Sequence, residues 1–302
     1  MNMRHLRTTL DVGDLKTLEA LLLRAQELKR HRAARRLAPT LSGRVIGMLF
    51  EKPSTRTRVS FEAGVKLLGG ATIVLQGRDL WLGAPSDDVG GGEVLRDTAR
   101  VLGGSLDVLV VRPHGSHATI EELARHAAIP VVNGMSDRDH PCQVLTDLFT
   151  LYERRERPYE SKVCFVGDSV AIAQGYLALS ILTGLELRLA LPAGVDVDAE
   201  LLKRAQAKAK VSVHRSAAEA VDGADAVSTA AWSRPVAPGF CVDDALLQKA
   251  SPDATVLHSL PAHRGQEITD DVLEGTRSVC FQQAQNRLPV QQALLEHLLA
   301  RS

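Results

Sequence analysis

A run of hydroxyl and guanidinium side chains is the sharpest chemical signal in this sequence. Ser54, Thr55, Arg56, Thr57 and Arg58 follow an apolar run and open a segment with apolar residues at helical spacing. At a helix N-terminus, free backbone N–H groups and the positive end of the helix dipole attract anions. Arginine binds phosphate through paired hydrogen bonds, and serine and threonine can donate further ones. The run therefore predicts a phosphate site, although an ordinary helix cap with solvated arginines is also compatible with it.

Four other residues have side chains suited to polar chemistry. Arg112 ends an apolar run, His140 and Gln143 lie three residues apart, and Arg287 lies in a polar segment near the end of the chain. Each also has an ordinary structural explanation. An arginine can end a strand in solvent, and a single histidine is often structural. Taken one by one, these residues predict no site.

The elements that must position these residues alternate along the chain. Apolar runs typical of buried strands are separated by segments with helical periodicity, which predicts parallel sheets with helices on both faces. The predicted strands are 44–50, 71–75, 107–112 and 129–133 before a charged link at 153–162, and 163–167, 187–191, 210–214, 225–229 and 254–258 after it. The fold class is therefore α/β, with two doubly wound parallel-sheet domains joined by linking helices.

The helical segments set the predicted domain bounds. Asp14 is a candidate N-cap for a first amphipathic helix, 143–152 a connecting helix, and 290–300 a last helix. We predict a first domain at 1–145 and a second at 146–289, with 290–302 packing back on the first. A Gly-rich loop lies near 85–93.

Composition excludes several classes of function. The chain has 302 residues and carries 36 Lys and Arg against 36 Asp and Glu, so its net charge offers nucleic acid no general attraction. No apolar run approaches the roughly 20 residues that span a bilayer, and the first ten residues lack a secretory apolar stretch. We expect a cytoplasmic protein with neither a nucleic-acid nor a membrane partner. The four cysteines have no CxxC spacing, which argues against a zinc site or a disulfide framework.

Longer motifs carry a family resemblance. FEKPSTRTRVSFEAG at 50–64 closely resembles the carbamoyl-phosphate motif of the aspartate/ornithine carbamoyltransferase family. Further segments resemble family motifs in family order: VVRPHGSH at 110–117, DHPCQVLTDLFTL at 139–151, HSLPAHRGQEI at 258–268 and QAQNRL at 283–288. The resemblance covers nearly the whole chain. It is closer to the ornithine enzymes than to the aspartate enzymes, because LPAHRGQEI is similar to the corresponding segment of the ornithine enzymes.

The resemblance implies an enzyme that transfers a carbamoyl group from carbamoyl phosphate to a small amine, giving phosphate and a ureido product. The first domain would bind carbamoyl phosphate and the second the amine, in a homotrimer with shared active sites. No metal ion or organic cofactor is implied, because orientation and electrostatics suffice for this acyl transfer.

The resemblance also assigns roles to individual residues. Phosphate would be held by Ser54, Thr55, Arg56 and Thr57. Arg112 would bridge the phosphate and the carbonyl oxygen, His140 would polarise the carbonyl, and Gln143 would bind the carbamoyl end. Arg287 and the backbone carbonyl of Leu260 would complete the site from the second domain. Arg56, Arg112 and His140 would be the catalytic residues.

The acceptor half departs from the ornithine enzymes. GDSVA at 167–171 stands where they have GDxNN, and TAAWSRPV at 229–236 where they have TDxWxSMG, so an Asn and an Asp that bind ornithine are missing. Ser259 replaces a Cys, and Trp81 stands in the place of a Gln that reaches a neighbouring subunit. An amine acceptor other than plain ornithine is therefore predicted, with Trp81, Arg234, Ser259 and Leu260 as candidate acceptor-binding residues. Relatives that act on putrescine, N-acylated ornithines or short diamino acids show that the fold can change acceptor.

Three alternatives remain open from the sequence. The chain can be an ordinary ornithine carbamoyltransferase whose divergent half is misaligned, or a non-catalytic carbamoyl-phosphate-binding protein of the same fold. A nucleotide-binding oxidoreductase is the third, but GDSVAIAQG at 167–175 lacks the GxGxxG pattern.

Overall fold

The structure, a computed structural model, describes residues 3–77 and 93–300. The chain divides into two compact units: unit 1 comprises Met1–Cys142 and Arg287–Ser302, and unit 2 comprises Gln143–Asn286. The strands are β1 (Val45–Phe50), β2 (Ala71–Gln76), β3 (Val108–Arg112), β4 (Val131–Asn133), β5 (Lys162–Val166), β6 (Glu186–Ala190), β7 (Val211–His214), β8 (Ala226–Thr229) and β9 (Thr255–His258). The helices are α1 (Leu15–Ala33), α2 (Thr55–Leu67), α3 (Leu95–Gly103), α4 (His117–His126), α5 (Pro141–Arg154), α6 (Val170–Thr183), α7 (Ala199–Gln206), α8 (Ala217–Val221), α9 (Asp244–Leu247), α10 (Asp270–Leu273) and α11 (Cys280–Leu299). Each unit is built on a parallel sheet, which confirms the predicted α/β class.

The sheet of unit 1 places the phosphate-binding candidates at one edge. Its described strands pair in parallel in the order β2-β1-β3-β4. The chain leaves β1 for β2 on one side and returns to β3 on the other, so the carboxyl ends of β1 and β3 flank a switch in strand order. Ligands of doubly wound sheets bind at such a switch. The loop after β1 carries Ser54, and Arg112 ends β3.

Unit 2 repeats this arrangement with a second sheet. Its described strands pair in parallel in the order β7-β6-β5-β8-β9. The switch in strand order falls between β5 and β8. Asp168 follows β5 and Arg234 follows β8, so both residues come from loops at the carboxyl edge of this sheet.

The N-terminal segment adds an edge to the sheet of unit 1. Leu6 forms a parallel bridge with Val132 of β4, and the backbone N–H of Thr9 donates to Asp139 Oδ2 at 2.7 Å. Asp139 lies in the loop between β4 and α5, directly before His140. The N-terminal segment therefore holds the loop that carries His140.

The helices differ from the prediction at the end of the chain. Asp14 caps α1 as predicted, accepting from the Thr17 N–H at 2.8 Å. The last helix begins at Cys280, ten residues before the predicted start at 290. Gln283 and Arg287 lie on its buried face, and Pro289 lies inside it, so its first half lacks the apolar periodicity on which the prediction depended. No helix among the described residues is long and apolar enough to cross a membrane.

Candidate active site

The N-terminus of α2 presents polar groups that the helix itself does not use. Ser54 occupies the N-cap position, where its side chain accepts no hydrogen bond from the described helix backbone. A cavity of about 510 Å³ lies beside this end of α2, and Lys52, Ser54, Thr55 and Arg58 are among its lining residues. The free N–H groups of the helix and the two hydroxyls suit an anion at this point.

The two arginines of this run have different surroundings. The Arg58 side chain is exposed and its Nε donates to Glu62 Oε2 at 3.3 Å. Arg56 is half-buried, and burial lowers the pKa of its guanidinium. Within the described part of the chain, no carboxylate contributes to the pKa of Arg56. Arg56 is therefore a partly desolvated cation that no anion of the described residues compensates.

Two more guanidinium groups join Arg56. Arg112 donates from Nη1 to the Gly134 carbonyl at 3.2 Å, and its pKa is lowered first by burial and then by the charge of Arg56. Arg287, only 3% exposed, donates from Nη2 to Thr57 Oγ1 at 2.7 Å. The sequence predicted Arg287 in the second domain, whereas the structure places it in unit 1. These three cations give this edge of unit 1 a local positive field.

His140 lies within this field as a neutral side chain. It is buried, and its pKa is lowered well below the ordinary histidine value by burial first and then by the charges of Arg287, Arg112 and Arg56. Its Nδ1 is buried and has no hydrogen-bond partner among the described residues. A neutral imidazole can donate one hydrogen bond to a carbonyl oxygen without adding a fourth positive charge.

The loop before His140 is fixed by buried hydrogen bonds. Asn133 Nδ2 donates to the Asp139 carbonyl at 3.1 Å, and His117 Nδ1 lies 2.9 Å from Ser136 Oγ. Burial raises the pKa of the Asp139 carboxyl to about 7, although it accepts hydrogen bonds from Thr9 that act in the opposite direction. The position of His140 therefore depends on a rigid, desolvated loop.

In unit 2, Gln143 belongs to a buried polar network. Its Nε2 donates to Asp147 Oδ1 at 2.7 Å, and Gln283 Nε2 donates to the same oxygen at 2.5 Å. Tyr176 OH donates to Asp147 Oδ2 at 2.8 Å. The sequence motifs indicate Gln143 but not its partners. The four-residue spacing of Gln143 and Asp147 on one helix was the sequence feature that could have indicated their contact.

The segment after β9 is held by a second buried contact. His258 Nδ1 accepts from the Leu260 N–H at 2.8 Å, so the ring proton lies on Nε2, which donates to Glu267 Oε1 at 3.0 Å. Burial alone would raise the pKa of Glu267, but hydrogen bonds from His258 and the His263 backbone lower it on balance. Leu260 has φ 48°, a conformation rare for residues with side chains. The Leu260 backbone is therefore fixed in an unusual geometry, next to the partly buried Ser259.

A carboxylate and an arginine meet at the strand switch of unit 2. The Ser233 N–H and Oγ donate to Asp168 Oδ2 at 2.9 and 2.7 Å, and Arg234 Nε lies 3.8 Å from the same oxygen. The Asp168 side chain is 2% exposed and that of Arg234 is 43% exposed. The sequence indicates Arg234 as a candidate but not Asp168 and Ser233. The strand order of this sheet, which brings their loops together, was the signal that could have identified them.

The predicted site residues thus fall into two groups. Unit 1 contains Ser54, Thr55, Arg56, Thr57, Arg112, His140 and Arg287, and unit 2 contains Gln143, Arg234, Ser259 and Leu260. Trp81 and most of the Gly-rich loop lie outside the described residues. Residues 3–77 and 93–300 contain no group of three His, Cys, Asp or Glu side chains that could hold a metal ion.

Family models match nearly the whole chain. Residues 4–153 match the carbamoyl-phosphate-binding domain of aspartate/ornithine carbamoyltransferases, and residues 159–298 match the Asp/Orn-binding domain. Among curated proteins, the ornithine carbamoyltransferase of Methanoculleus marisnigri is 44% identical over 96% of this chain and 95% of its own. That of Oleidesulfovibrio alaskensis is 43% identical over 92% and 93%.

Solved structures give the same result. The ornithine carbamoyltransferase of Pyrococcus furiosus superposes with a TM-score of 0.92 at 33% identity, covering 99% of this chain and 98% of that one. The enzyme from Gloeobacter violaceus superposes with a TM-score of 0.88 at 38% identity, covering 99% of both chains.

Proposed function

Since this chain belongs to the aspartate/ornithine carbamoyltransferase family and is a carbamoyltransferase, we propose that its acceptor is a primary amine of an amino acid or diamine other than plain ornithine. The products are inorganic phosphate and a ureido compound. The main observation in support of carbamoyl phosphate as the donor is that three guanidinium groups surround a neutral, buried His140. The choice of acceptor is supported by two buried small side chains, Ala171 of GDSVA and Ala230 of TAAWSRPV, which stand where the ornithine enzymes have the Asn and the Asp named above.

In the proposed reaction, unit 1 binds and activates the donor. The phosphate is held by Ser54, Thr55, Arg56 and Thr57. The neutral amine attacks the carbonyl carbon, and the oxyanion that forms is stabilised by Arg112 and by an N–H of His140. The bond between carbon and the bridging oxygen then breaks, phosphate leaves with that electron pair, and Arg56 compensates its charge. The amine proton passes to phosphate or solvent. Arg287 supports this site by holding Thr57.

The carbamoyl nitrogen needs hydrogen-bond acceptors, which we assign to unit 2. The side-chain oxygen of Gln143 and the backbone carbonyl of Leu260 are acceptors of the required kind. The hydrogen bonds of Gln143 and the Leu260 backbone described above are consistent with this role, because they restrain both groups. The carbamoyl group would be oriented for attack by these contacts.

On the acceptor side, the charges of unit 2 favour a ligand with a carboxylate. Asp168 already accepts two hydrogen bonds from Ser233 and lies beside Arg234, so it is poorly placed to receive an ammonium group. Arg234 has no hydrogen bond to any described residue and can bind a carboxylate in a forked geometry. We assign Arg234, Ser259, Leu260 and Trp81 to acceptor binding.

Ornithine itself is the second candidate acceptor. Both curated relatives named above carry the name ornithine carbamoyltransferase at 43–44% identity. In that case, groups other than those at positions 171 and 230 would bind its α-ammonium.

An acceptor panel separates the two candidates. The purified protein is given carbamoyl phosphate with ornithine, putrescine, 2,3-diaminopropionate, lysine, N-acylornithines or aspartate, and phosphate and ureido products are measured. Dominant turnover of an amine other than ornithine supports the proposal. Citrulline as the dominant product would overturn it in favour of the second candidate.

We also propose a cytoplasmic homotrimer that shares active sites between subunits. The exposed apolar side chains Val59 and Ile73, on α2 and β2, are compatible with a subunit contact. Light scattering should give the mass of three chains, and a monomer mass would contradict this assembly.

A further inference from the structure

Asp139, the residue directly before His140, is a buried carboxylate that the proposed donor chemistry does not use. Its side chain accepts two hydrogen bonds from Thr9, one from the backbone N–H to Oδ2 at 2.7 Å and one from Oγ1 to Oδ1 at 3.1 Å. The backbone N–H of His140 gives it a third hydrogen bond. Asp139 is 3% exposed, and Thr9 is fully buried. The carboxylate thus joins the N-terminal segment to the backbone of His140.

The main chain of Asp139 is also held in place. Its carbonyl oxygen accepts from the Ser136 N–H at 3.1 Å and from Asn133 Nδ2 at 3.1 Å. Asn133 Nδ2 donates to the Arg7 carbonyl as well, at 2.8 Å, so the N-terminal segment contacts this loop at a second point. The direction of His140 therefore depends on contacts that meet at Asp139.

An ionised Asp139 lowers the stability of the fold. Its pKa is raised to about 7, first by burial and also by the charge of Asp11, while the hydrogen bonds from Thr9 and His140 lower it. In the unfolded chain this carboxyl has its ordinary pKa near 4, so the folded state keeps the proton longer. The contribution of Asp139 to stability therefore falls as pH rises from about 4 to 7. Ionisation works against the fold, which indicates a use of the charge other than stability.

The neighbouring groups do not titrate where Asp139 does. Burial lowers the pKa values of His5, His117 and His140 and raises that of the Cys142 thiol to about 12, so all four are neutral near pH 7. The charged groups on the surrounding elements are Arg7 and Asp11 in the N-terminal segment, which form an ion pair, Glu121 on α4, Asp137 and Arg138 in the loop, Arg112 at the end of β3 and Arg287 on α11.

We propose that Asp139 is a positioning residue for His140, that it acts only as a carboxylate, and that Thr9 holds it. The inference rests on the proposed role of His140 in polarising the carbonyl of the donor. An ionised carboxylate accepts all three hydrogen bonds. Protonation places a hydroxyl group among donors and replaces charge-assisted hydrogen bonds with neutral ones of about half the strength. The His140 ring then loses its fixed direction, and turnover falls.

The pH profile of turnover tests this role, with Thr9→Val as the main variant. Valine has nearly the shape of threonine and keeps the backbone N–H, but it removes the Oγ1 donor. The pKa of Asp139 should therefore rise by about one unit, and the ratio of kcat for Thr9→Val to kcat for wild type should fall about tenfold between pH 9 and pH 6. Ionisation of the amine acceptor is common to both proteins and cancels in this ratio.

The assay measures phosphate release at saturating carbamoyl phosphate. It uses whichever amine of the acceptor panel is turned over fastest, ornithine included. The result therefore does not depend on the identity of the acceptor.

Three further variants separate positioning from stability. Asp139→Asn cannot titrate, so its kcat should be about tenfold below wild type at pH 9 and close to wild type at pH 6. Thr9→Ser keeps the hydroxyl donor and should keep the wild-type profile. Thr150→Val removes another fully buried hydroxyl, which donates to the Thr146 carbonyl, and should lower the unfolding temperature without changing the profile.

A purely structural role for Asp139 predicts changes in unfolding temperature and the wild-type pH dependence in every variant. The same pH dependence in Thr9→Val and wild type would overturn the positioning role, as would an equal change of profile in Thr150→Val. If Thr9→Val does not fold, Asp139→Asn decides, because a wild-type profile in that variant would show that another group titrates.

The outcomes also separate this inference from the proposed function. If ornithine is the fastest substrate, the proposed acceptor is wrong, and the test of Asp139 is unaffected. If His140→Asn keeps the kcat of wild type, the role of His140 fails and the positioning role with it. If His140→Asn lowers kcat while Thr9→Val and Asp139→Asn follow the wild-type profile, the positioning role alone is wrong.

Discussion

The two units place their candidate residues at the same topological position but organise charge there in opposite ways. At the strand switch of unit 1, Arg56 and Arg112 have no described carboxylate acting on their pKa values. Burial lowers both pKa values, and the charge of Arg56 lowers that of Arg112 further. At the switch of unit 2, the carboxylate of Asp168 is already bound by Ser233 and lies beside Arg234. The positive charges of unit 1 are therefore suited to an anion that the described residues do not supply. Unit 2 already compensates its own anion.

Because of this difference, the two units should respond differently to ligands. Like charges gathered in a partly buried site destabilise the folded state until an anion binds, so phosphate-bearing ligands should stabilise unit 1 strongly. A half-exposed pair such as Arg234 and Asp168 contributes little to stability. We expect this pair to affect which acceptor unit 2 binds.

Removal of one cation of unit 1 should have the largest effect. Arg56→Ala should lower turnover about 10³-fold with every amine acceptor, because the charge that develops on phosphate loses its compensation. The unfolding temperature should not fall, since removal of Arg56 also relieves its repulsion with Arg112. Steady-state phosphate release and thermal unfolding check both statements.

The control for this variant lies two residues away. Arg58 belongs to the same motif but pairs with Glu62 on the helix surface. Arg58→Ala should retain turnover within about threefold, as surface pairs of this type contribute little. Equal losses in Arg56→Ala and Arg58→Ala would refute the assigned phosphate site.

A smaller effect tests the acceptor side. Arg234→Met should raise KM about tenfold for acceptors that carry a carboxylate, because a charge-assisted hydrogen bond is lost. KM for carbamoyl phosphate, and KM for putrescine if it is a substrate, should not change. Steady-state kinetics of Arg234→Met and of the surface control Arg204→Met provide the measurement. An unchanged KM for every amine would show that Arg234 is only an exposed charge.

The smallest expected effect is the change in stability with pH that His140 of unit 1 causes. The folded-state pKa of His140 lies below its unfolded value, so the unfolded chain binds its proton first as pH falls. The contribution of neutral His140 to stability is complete above about pH 6.5 and is lost below it. Between pH 7.5 and 5.5, wild type should therefore lose about 1 kcal/mol more stability than His140→Asn.

Urea unfolding of both proteins at the two pH values measures this difference. Other titrating groups, such as His117 and Asp139, remain in both proteins and largely cancel. Identical losses would mean that His140 is not held neutral by its surroundings.

The fold was predictable because its central strands are buried on both faces. Runs such as those of β1, β3 and β5 are almost wholly apolar, and their alternation with amphipathic segments implies parallel sheets. Short local signals also sufficed for the cap of α1 by Asp14. The start of α11 was not predictable in this way, because Gln283 and Arg287 are buried through hydrogen bonds and not through apolar contact.

Sequence motifs indicate candidate residues for the site but not its electrostatics. Sequence motifs identified Arg56, Arg112, His140 and Arg287, and their catalytic roles remain predictions. That His140 is neutral follows first from its burial and then from three charges, which lie far apart in the sequence and are brought together by folding. The same applies to Asp168, which receives its partners from the loop of another strand.

The membership of Arg287 in unit 1 has a consequence for the order in which a new chain matures. Unit 2 is continuous in sequence, whereas unit 1 needs both ends of the chain, and Arg287 binds a residue made 230 positions earlier. Domains generally fold as units during synthesis. Unit 2 can therefore fold on the ribosome before unit 1, although the first residues translated belong to unit 1. The contact between Arg287 and Thr57 cannot form in a nascent chain that lacks α11, so we expect unit 1 to bind its donor only after that helix has been made.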